Sequence, residues 1–465
     1  MRNRGFALVS LMAAILIAGT GAWADNAEPH GHRPQGEATQ FNVSVPTHPF
    51  DLILARPENN SVTLSVLAYE EMDGFVAYGS ESGSGILQTP ARRFAKGEPV
   101  ELVLGGLKPD TAYHYRFQTR PPGGSAFATG TEGAFHTARP QGATFTFTMT
   151  ADAHLDEHTS PEVYCRTLAN IRADHPDFHI DLGNLFMTDK HASREEAAAQ
   201  YLAQRYYLGQ IGVSVPVLLA LGVHDGENGK DDIPSPDSLA KWSNQMRRRY
   251  FSNPEPDRFY SGNPAPLQNY YAWEWGDALF VVLDPFRYSV RARGGGGDGW
   301  GWSLGQTQYQ WLKQTLEQSR ARFKCVFIHN LLYGNSAARG GIEVAGFNEW
   351  GGKNLDGSEG FKAHRPGWEM PIHQLLVAHH VAAVFKAHDN FYARQTLDGI
   401  VYQMVPQPSF AGNDRIRDLE NYGYKDGTFL GNPGHVRVTV APSQATVEYV
   451  RTNGEIAHHY VIPAP

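Results

Sequence analysis

The sequence places five polar clusters directly after short apolar runs: Asp152-Ala-His154, Gly183-Asn184, Gly222-Val223-His224-Asp225, a lone His329, and Ala387-His388-Asp389-Asn390. Carboxylates and imidazoles ligate zinc, iron, copper and manganese, and they exchange protons near neutral pH. One such cluster means little, because a single core histidine is usually a hydrogen-bonded packing residue. Five in series, each closing an apolar run, call for a fold that gathers them.

The apolar runs at 145–149, 178–182, 215–221, 279–283, 325–328 and 381–385 read as strands. Helical patterns at 162–173, 194–208, 306–318 and 370–378 separate several of them. Strands alternating with helices predict a layered α/β domain, and in such sheets ligands bind beyond the carboxyl ends of the strands. Each polar cluster stands at such an end, so all five can converge. Residues 436–462 return to an alternating β pattern and are expected to close the second sheet. Residues 44–138 read differently. Short alternating runs such as Val62-Thr-Leu-Ser-Val66 are separated by Gly, Asn and Pro turns, which predicts a small all-β domain. Its run Leu107-Lys-Pro-Asp-Thr-Ala-Tyr113 resembles the tyrosine corner of fibronectin type III sandwiches. No nucleophile or ligand cluster lies in it, so a scaffold or docking role is expected.

The ordered set of clusters resembles the calcineurin-like metallophosphoesterases, in the exported, purple acid phosphatase-like branch with an N-terminal fibronectin-like domain. The resemblance runs over residues 44–450 and includes Leu304-Gly-Gln-Thr-Gln308-Tyr-Gln-Trp311-Leu312, Glu349-Trp350-Gly351-Gly352 and Arg365-Pro-Gly-Trp368. It implies a layered β-sandwich metallophosphoesterase domain flanked by helices (144–465), preceded by a fibronectin type III-like sandwich (44–138). It implies phosphoric ester hydrolysis, in which two metal ions about 3.5–4 Å apart clamp an in-line displacement. It also assigns residues. Asp152, His154, Asn184, His329, His388 and Asn390 stand at metal positions. His224 stands where the leaving-group acid stands, and Asp225 is expected to orient it, since a carboxylate beside a histidine fixes its tautomer.

The departures from that pattern are chemical. Asn184 replaces the bridging aspartate, Val223 an asparagine ligand, Asn390 a histidine, Ala387 a glycine, and Met187 the tyrosine of a purple iron centre. Valine ligates nothing, and an amide oxygen carries no charge to hold two dications, which repel strongly even at an effective dielectric near ~20. The expected cofactor is therefore one divalent or trivalent ion (zinc, iron, copper or manganese) rather than two, held by Asp152, His154, His329 and His388. Lys386 offers an ammonium that could hold a substrate phosphate. The glycine run 294–297 with Trp300 and Trp302, and the segment 333–368, are long irregular stretches of the kind that carry binding sites, in which Trp350 and Trp368 could stack on a ring or pack the loop.

Arg2 and Arg4, the apolar run 6–18 and Ala22-Trp23-Ala24 form a secretory signal peptide with cleavage after Ala24. The expectation is a periplasmic or secreted protein without a stable membrane span, joined to its first domain by a flexible linker (25–43). Loss of residues 1–24 moves the net charge from −8 to −10, because two arginines and no acid leave. That disfavours nucleic acid, whose binding rests on phosphate neutralisation by cations. Arg247-Arg248-Arg249 reads as a solvated helix face, His30 and His32 as linker residues, and Cys165 and Cys325 as free thiols. The expected partner is a small phosphate ester or another small anion, with a protein partner conceivable through the β domain. Two functions stay open: a hydrolase with a rebuilt site, or a non-catalytic pseudo-phosphatase that binds an anion, a metal or a partner.

Overall fold

The computed structural model describes residues 39–80, 85–229, 235–290, 299–332, 339–412, 416 and 419–464. The expected signal peptide, most of the expected linker with His30 and His32, and the glycine run 294–297 lie outside the described residues.

Among the described residues, the regular elements of the N-terminal part are all strands. Phe50–Ala55, Val62–Ala68 and Val100–Leu104 form one antiparallel sheet, and Met72–Ser80, Leu87–Gln88, Arg92–Phe94, Ala112–Arg120 and Glu132–His136 form another. Met72–Ser80 alternates buried and half-buried residues, as expected of a strand with one face on a core. Leu64, Val66, Val76 and Phe117 fill the space between the sheets. The Lys108 N–H donates to the Tyr113 hydroxyl at 2.9 Å, the backbone bond expected of that tyrosine. This part is welded to the helix Arg194–Gly212. The Tyr115 hydroxyl donates to the Val213 carbonyl at 2.8 Å, and buried Arg205 donates to the Ser65 carbonyl at 3.0 Å.

The remainder is two sheets packed face to face. One runs in the order Val217–Leu219, Phe178–Asp181, Phe145–Thr150, Gly434–Ala441, Gln444–Arg451, Ile456–Pro463. The other has eight strands, with Ala278–Val282, Phe323–Phe327 and Val381–Lys386 parallel at its centre. Phe147 marks the core between them, with ring centroids 5.0 Å from Phe280, 5.7 Å from Phe178 and 6.3 Å from Phe385. Contrary to the expectation that residues 436–462 close the second sheet, the strands of 434–463 extend the first by pairing with Phe145–Thr150. A β-hairpin pattern fixes pairing within itself and not which open edge it joins.

The helices follow their sequence signals. Ser160 caps Pro161–Ala173 and Ser193 caps Arg194–Gly212, each hydroxyl accepting an N–H of the first turn. Leu239–Tyr250 is a further helix, capped by Ser238, that the apolar pattern does not reveal. It corrects the reading of the arginine run. Arg247 is fully buried, holding the Glu227 carboxylate and the Gln268 carbonyl, so only its neighbours face solvent. Among the described residues no helix is long and apolar enough to cross a membrane, and Cys165 and Cys325 are unbridged.

Candidate active site

Three parallel strands of each sheet end on one rim, and the chemistry lies in the turns that follow. Phe145–Thr150 leads to Asp152 and His154, Phe178–Asp181 to Asn184, and Val217–Leu219 to His224. Phe323–Phe327 leads to His329 and Val381–Lys386 to His388. These turns are tight and strained. Asp152, His154, Asn184, His388 and Asn390 all hold positive φ, between 39° and 82°. The turns also touch: a Cβ on Gly222 would lie 2.0 Å from the Asn184 nitrogen, so only glycine lets them approach.

Asp152 is the hub. It is fully buried, and its Oδ1 accepts from Asn184 Nδ2 at 2.9 Å and from His154 Nε2 at 3.3 Å. Its Oδ2 accepts from the His388 N–H at 3.0 Å, and His329 Nε2 stands 3.9 Å from Oδ1. Burial pushes the Asp152 carboxyl up, but the surrounding imidazoles outweigh it and hold the group well below the usual range. His154 lies between two carboxylates, Asp152 at Nε2 and Asp156 at Nδ1 (3.2 Å). A carboxylate only accepts, so both ring nitrogens donate. Burial opposes that charge, but the two carboxylates prevail and carry His154 up to about 10.

Asn184, the residue in place of the bridging aspartate, uses both ends of its amide. Nδ2 donates to Asp152, and Oδ1 accepts from the His224 N–H at 2.9 Å. The amide thus does by hydrogen bonding what a bridging charge does by ligation. Val223 is buried, with its carbonyl taken by Asn228.

His329 is arranged otherwise. Its Nδ1–H donates to the Leu182 carbonyl at 2.7 Å, which leaves the lone pair on Nε2, and that buried nitrogen has no hydrogen-bond partner. Burial lowers its pKa to about 4. A histidine with one nitrogen pinned to a carbonyl and the other bare has the tautomer of a metal ligand. The His388 ring lies alongside, with centroids 5.2 Å apart.

These donors offer a pair of ions no bridging carboxylate: the Asn184 amide is committed at both ends, and Val223 has no ligating atom in its side chain. Among the described residues no three His, Cys, Asp or Glu side chains form a ready-made group that could hold a metal ion. Asp152 Oδ1 and His329 Nε2, 3.9 Å apart beside His388, are the donors that would hold one ion, and His154 would join only on giving up its Nε2 proton. Asn390 keeps a buried side-chain oxygen without a hydrogen-bond partner, which leaves it available on the same rim.

The surroundings of His224 correct one expectation. His224 Nδ1 donates to Asp189, 3.0 and 3.2 Å from its two oxygens, and not to Asp225. Asp225 points inward, accepting the backbone N–H groups of Gly222 (2.8 Å), Asn184 (3.0 Å) and Phe186 (2.8 Å). Burial raises its carboxyl to about 7. It is a clamp on two turns. Asp189 sits in the short helix Thr188–Lys190, which the sequence reading missed, although an aspartate five residues beyond Asn184 was visible. The His224 and Asp189 side chains are 15% and 21% exposed, so solvent reaches this pair while Asp152 and His329 are fully buried.

Lys386 is a second correction. Its ammonium is buried, donating to Asp389 Oδ2 at 3.3 Å and the Tyr424 hydroxyl at 3.1 Å, so it faces the interior and not a substrate phosphate. Burial lowers its pKa against the pull of Asp389. Trp350 is core, its Nε1–H donating to the Tyr402 hydroxyl at 3.0 Å. Trp300 and Trp368 line a cavity of about 410 Å³ with Tyr288, Val290, Ser303 and Arg365.

No protein-family model matches the sequence, and no curated protein matches it. Solved structures do. A purple acid phosphatase, PPD1, isolated from yellow lupin (Lupinus luteus) seeds is 15% identical and superposes with a TM-score of 0.61, over 89% of this chain and 74% of that one. A structure of PhoD is 17% identical, with a TM-score of 0.63 over 92% of this chain and 90% of that one. The fold that the clusters imply therefore holds in three dimensions: the chain has the metallophosphoesterase fold shared by PPD1 and PhoD.

Proposed function

We propose that this chain is an exported phosphoric ester hydrolase that acts on a small phosphate ester with at most one metal ion. The observation that carries the reading is the His224–Asp189 pair, half-open on the rim above Asp152 and His329. With Nδ1–H held by the carboxylate, the His224 ring has a fixed orientation, as a group that protonates a leaving oxygen must. Asp189 also stabilises the imidazolium before transfer. Asp152 and His329 are the residues that would hold one ion, with His388 and His154 beside them. When bound, such an ion supplies a Lewis acid for a phosphoryl oxygen. Residues 2–24 support export, and the N-terminal sandwich, fixed to the Arg194–Gly212 helix, serves as scaffold or docking module.

A second reading, a pseudo-phosphatase that binds a small anion, is favoured by Asn184, whose amide closes the bridging position without charge. Metal content and turnover of an aryl phosphate ester, measured on the same metal-replete preparation, separate the two. The hydrolase reading expects turnover that His224→Ala abolishes. Turnover indifferent to His224→Ala, or none at all with phosphate still bound, leaves the pseudo-phosphatase.

A further inference from the structure

The end of the segment that precedes the first strand is not a loose lead-in. Phe41 forms an antiparallel bridge with Asp156, the Asn42 N–H donates to the Leu155 carbonyl at 2.6 Å, and the Gln40 N–H donates to Glu157 at 3.3 Å. Val43 packs half-buried on the core beneath. This short stretch therefore lies along the turn that carries His154 and Asp156.

The same stretch reaches a second turn. The Phe41 ring stacks on His191, with centroids 4.0 Å apart and planes at 30°. His191 follows the short helix that carries Asp189, and its Nε2–H donates to Gln200 Oε1 at 2.7 Å. Gln200 is fully buried in the helix Arg194–Gly212, and its Nε2 donates to the carbonyls of His154 (2.6 Å) and Leu185 (2.7 Å). Its acceptor and both its donors are engaged, so it has one orientation. Phe41, His191 and Gln200 thus close a circuit between the turns of His154, Asn184 and Asp189.

We propose that Phe41 and Gln200 are positioning residues of the site. Phe41 acts as a strap from outside and Gln200 as a tie from within, and together they set the spacing between the Asp152–His154 pair and the His224–Asp189 pair. Neither touches the reacting atoms. The spacing matters because a misplacement of about 1 Å can cost ~100-fold in rate. The strap enters from the N-terminal side, so one short stretch of the linker completes a site whose other parts all come from beyond residue 150. As a device for catalysis this rests on the hydrolase reading; as a coupling between two turns it does not.

The test uses Phe41→Ala and Phe41→Trp in the full mature chain, since Phe41 is only half-buried and its loss spares the core. Hydrogen–deuterium exchange reads the coupling without any need for activity. Phe41→Ala is expected to speed exchange by about tenfold or more in both 154–158 and 187–192, with Phe41→Trp restoring both. Exchange that changes only in 154–158, or in neither, overturns the proposal. Where the wild type hydrolyses an aryl phosphate, Phe41→Ala should lower kcat about tenfold with KM within about twofold, and Phe41→Trp should recover it. An unchanged kcat overturns the catalytic role. A wild type without turnover but with coupled exchange rejects the hydrolase reading and keeps the strap.

Discussion

His224 and Asp189 meet at 3.0 Å across 35 residues of sequence, while Asp225, the immediate neighbour of His224, turns away into three backbone amides. The two aspartates therefore have separable effects. Asp189→Asn should lower kcat by about 100-fold or more with little change in thermal midpoint, because only the orientation and charge support of His224 are lost. Adding Asp189→Asn to His224→Ala should cost little more than His224→Ala alone, because a partner that only orients His224 has nothing left to orient. Steady-state kinetics with thermal denaturation checks both statements.

Asp225→Asn should do the reverse. An amide nitrogen cannot accept, so at least one buried backbone N–H is left without a partner, at about 1–3 kcal/mol. Chemical denaturation should show that loss, and any fall in turnover should follow the fraction unfolded.

Lys386→Met tests the interior placement of the ammonium. Removing one partner of the buried Lys386–Asp389 pair should destabilise the fold by about 3 kcal/mol or more. The KM for a phosphate ester should stay within about twofold; a large rise in KM with stability intact would return Lys386 to the substrate.

Asn184→Asp together with Val223→Asn restores a carboxylate bridge and an amide ligand. Metal stoichiometry by elemental analysis should rise from at most one toward two. Without metal the double variant should be less stable than wild type, because a second carboxylate then faces Asp152 where Asn184 now donates at 2.9 Å. Stability should recover on metal addition.

His179 gives a pH test away from the rim. It is fully buried between the hydroxyls of Thr148 and Thr150, each 2.9 Å away, and burial lowers its pKa to about 3. Between that value and the unfolded value near ~6.5 the unfolded chain binds more protons, so stability rises with pH across this window. It is lost as pH falls from about 6.5 toward 3, by up to a few kcal/mol. His179→Gln should flatten that part of the stability curve, measured by denaturant midpoints at each pH.

The strand ends and the turns after them were legible because apolar runs and polar clusters mark them locally. Asp152, His154, His329 and His388 do gather on one rim. The partners were not legible. Asp189 belongs to His224 only because two turns from separate strands pack together, and Lys386 faces inward because Tyr424 and Asp389 wait there. Likewise the three-stranded meander 434–463 could be seen as strands, but its choice of the edge at Phe145–Thr150 depends on which edge is left open. Sequence periodicity carries burial and type; it does not carry who meets whom.

The left-handed backbone at Asn184 (φ 57°) and Asn390 (φ 60°) also limits which residues can follow one another there. Outside glycine, asparagine and aspartate tolerate that conformation best. A carboxylate and an amide can thus be exchanged at position 184 without disturbing the turn, and a single nucleotide change converts one codon into the other. The scaffold separates the shape of the site from its charge, so metal dependence can drift, or be repaired, while the fold stays the same.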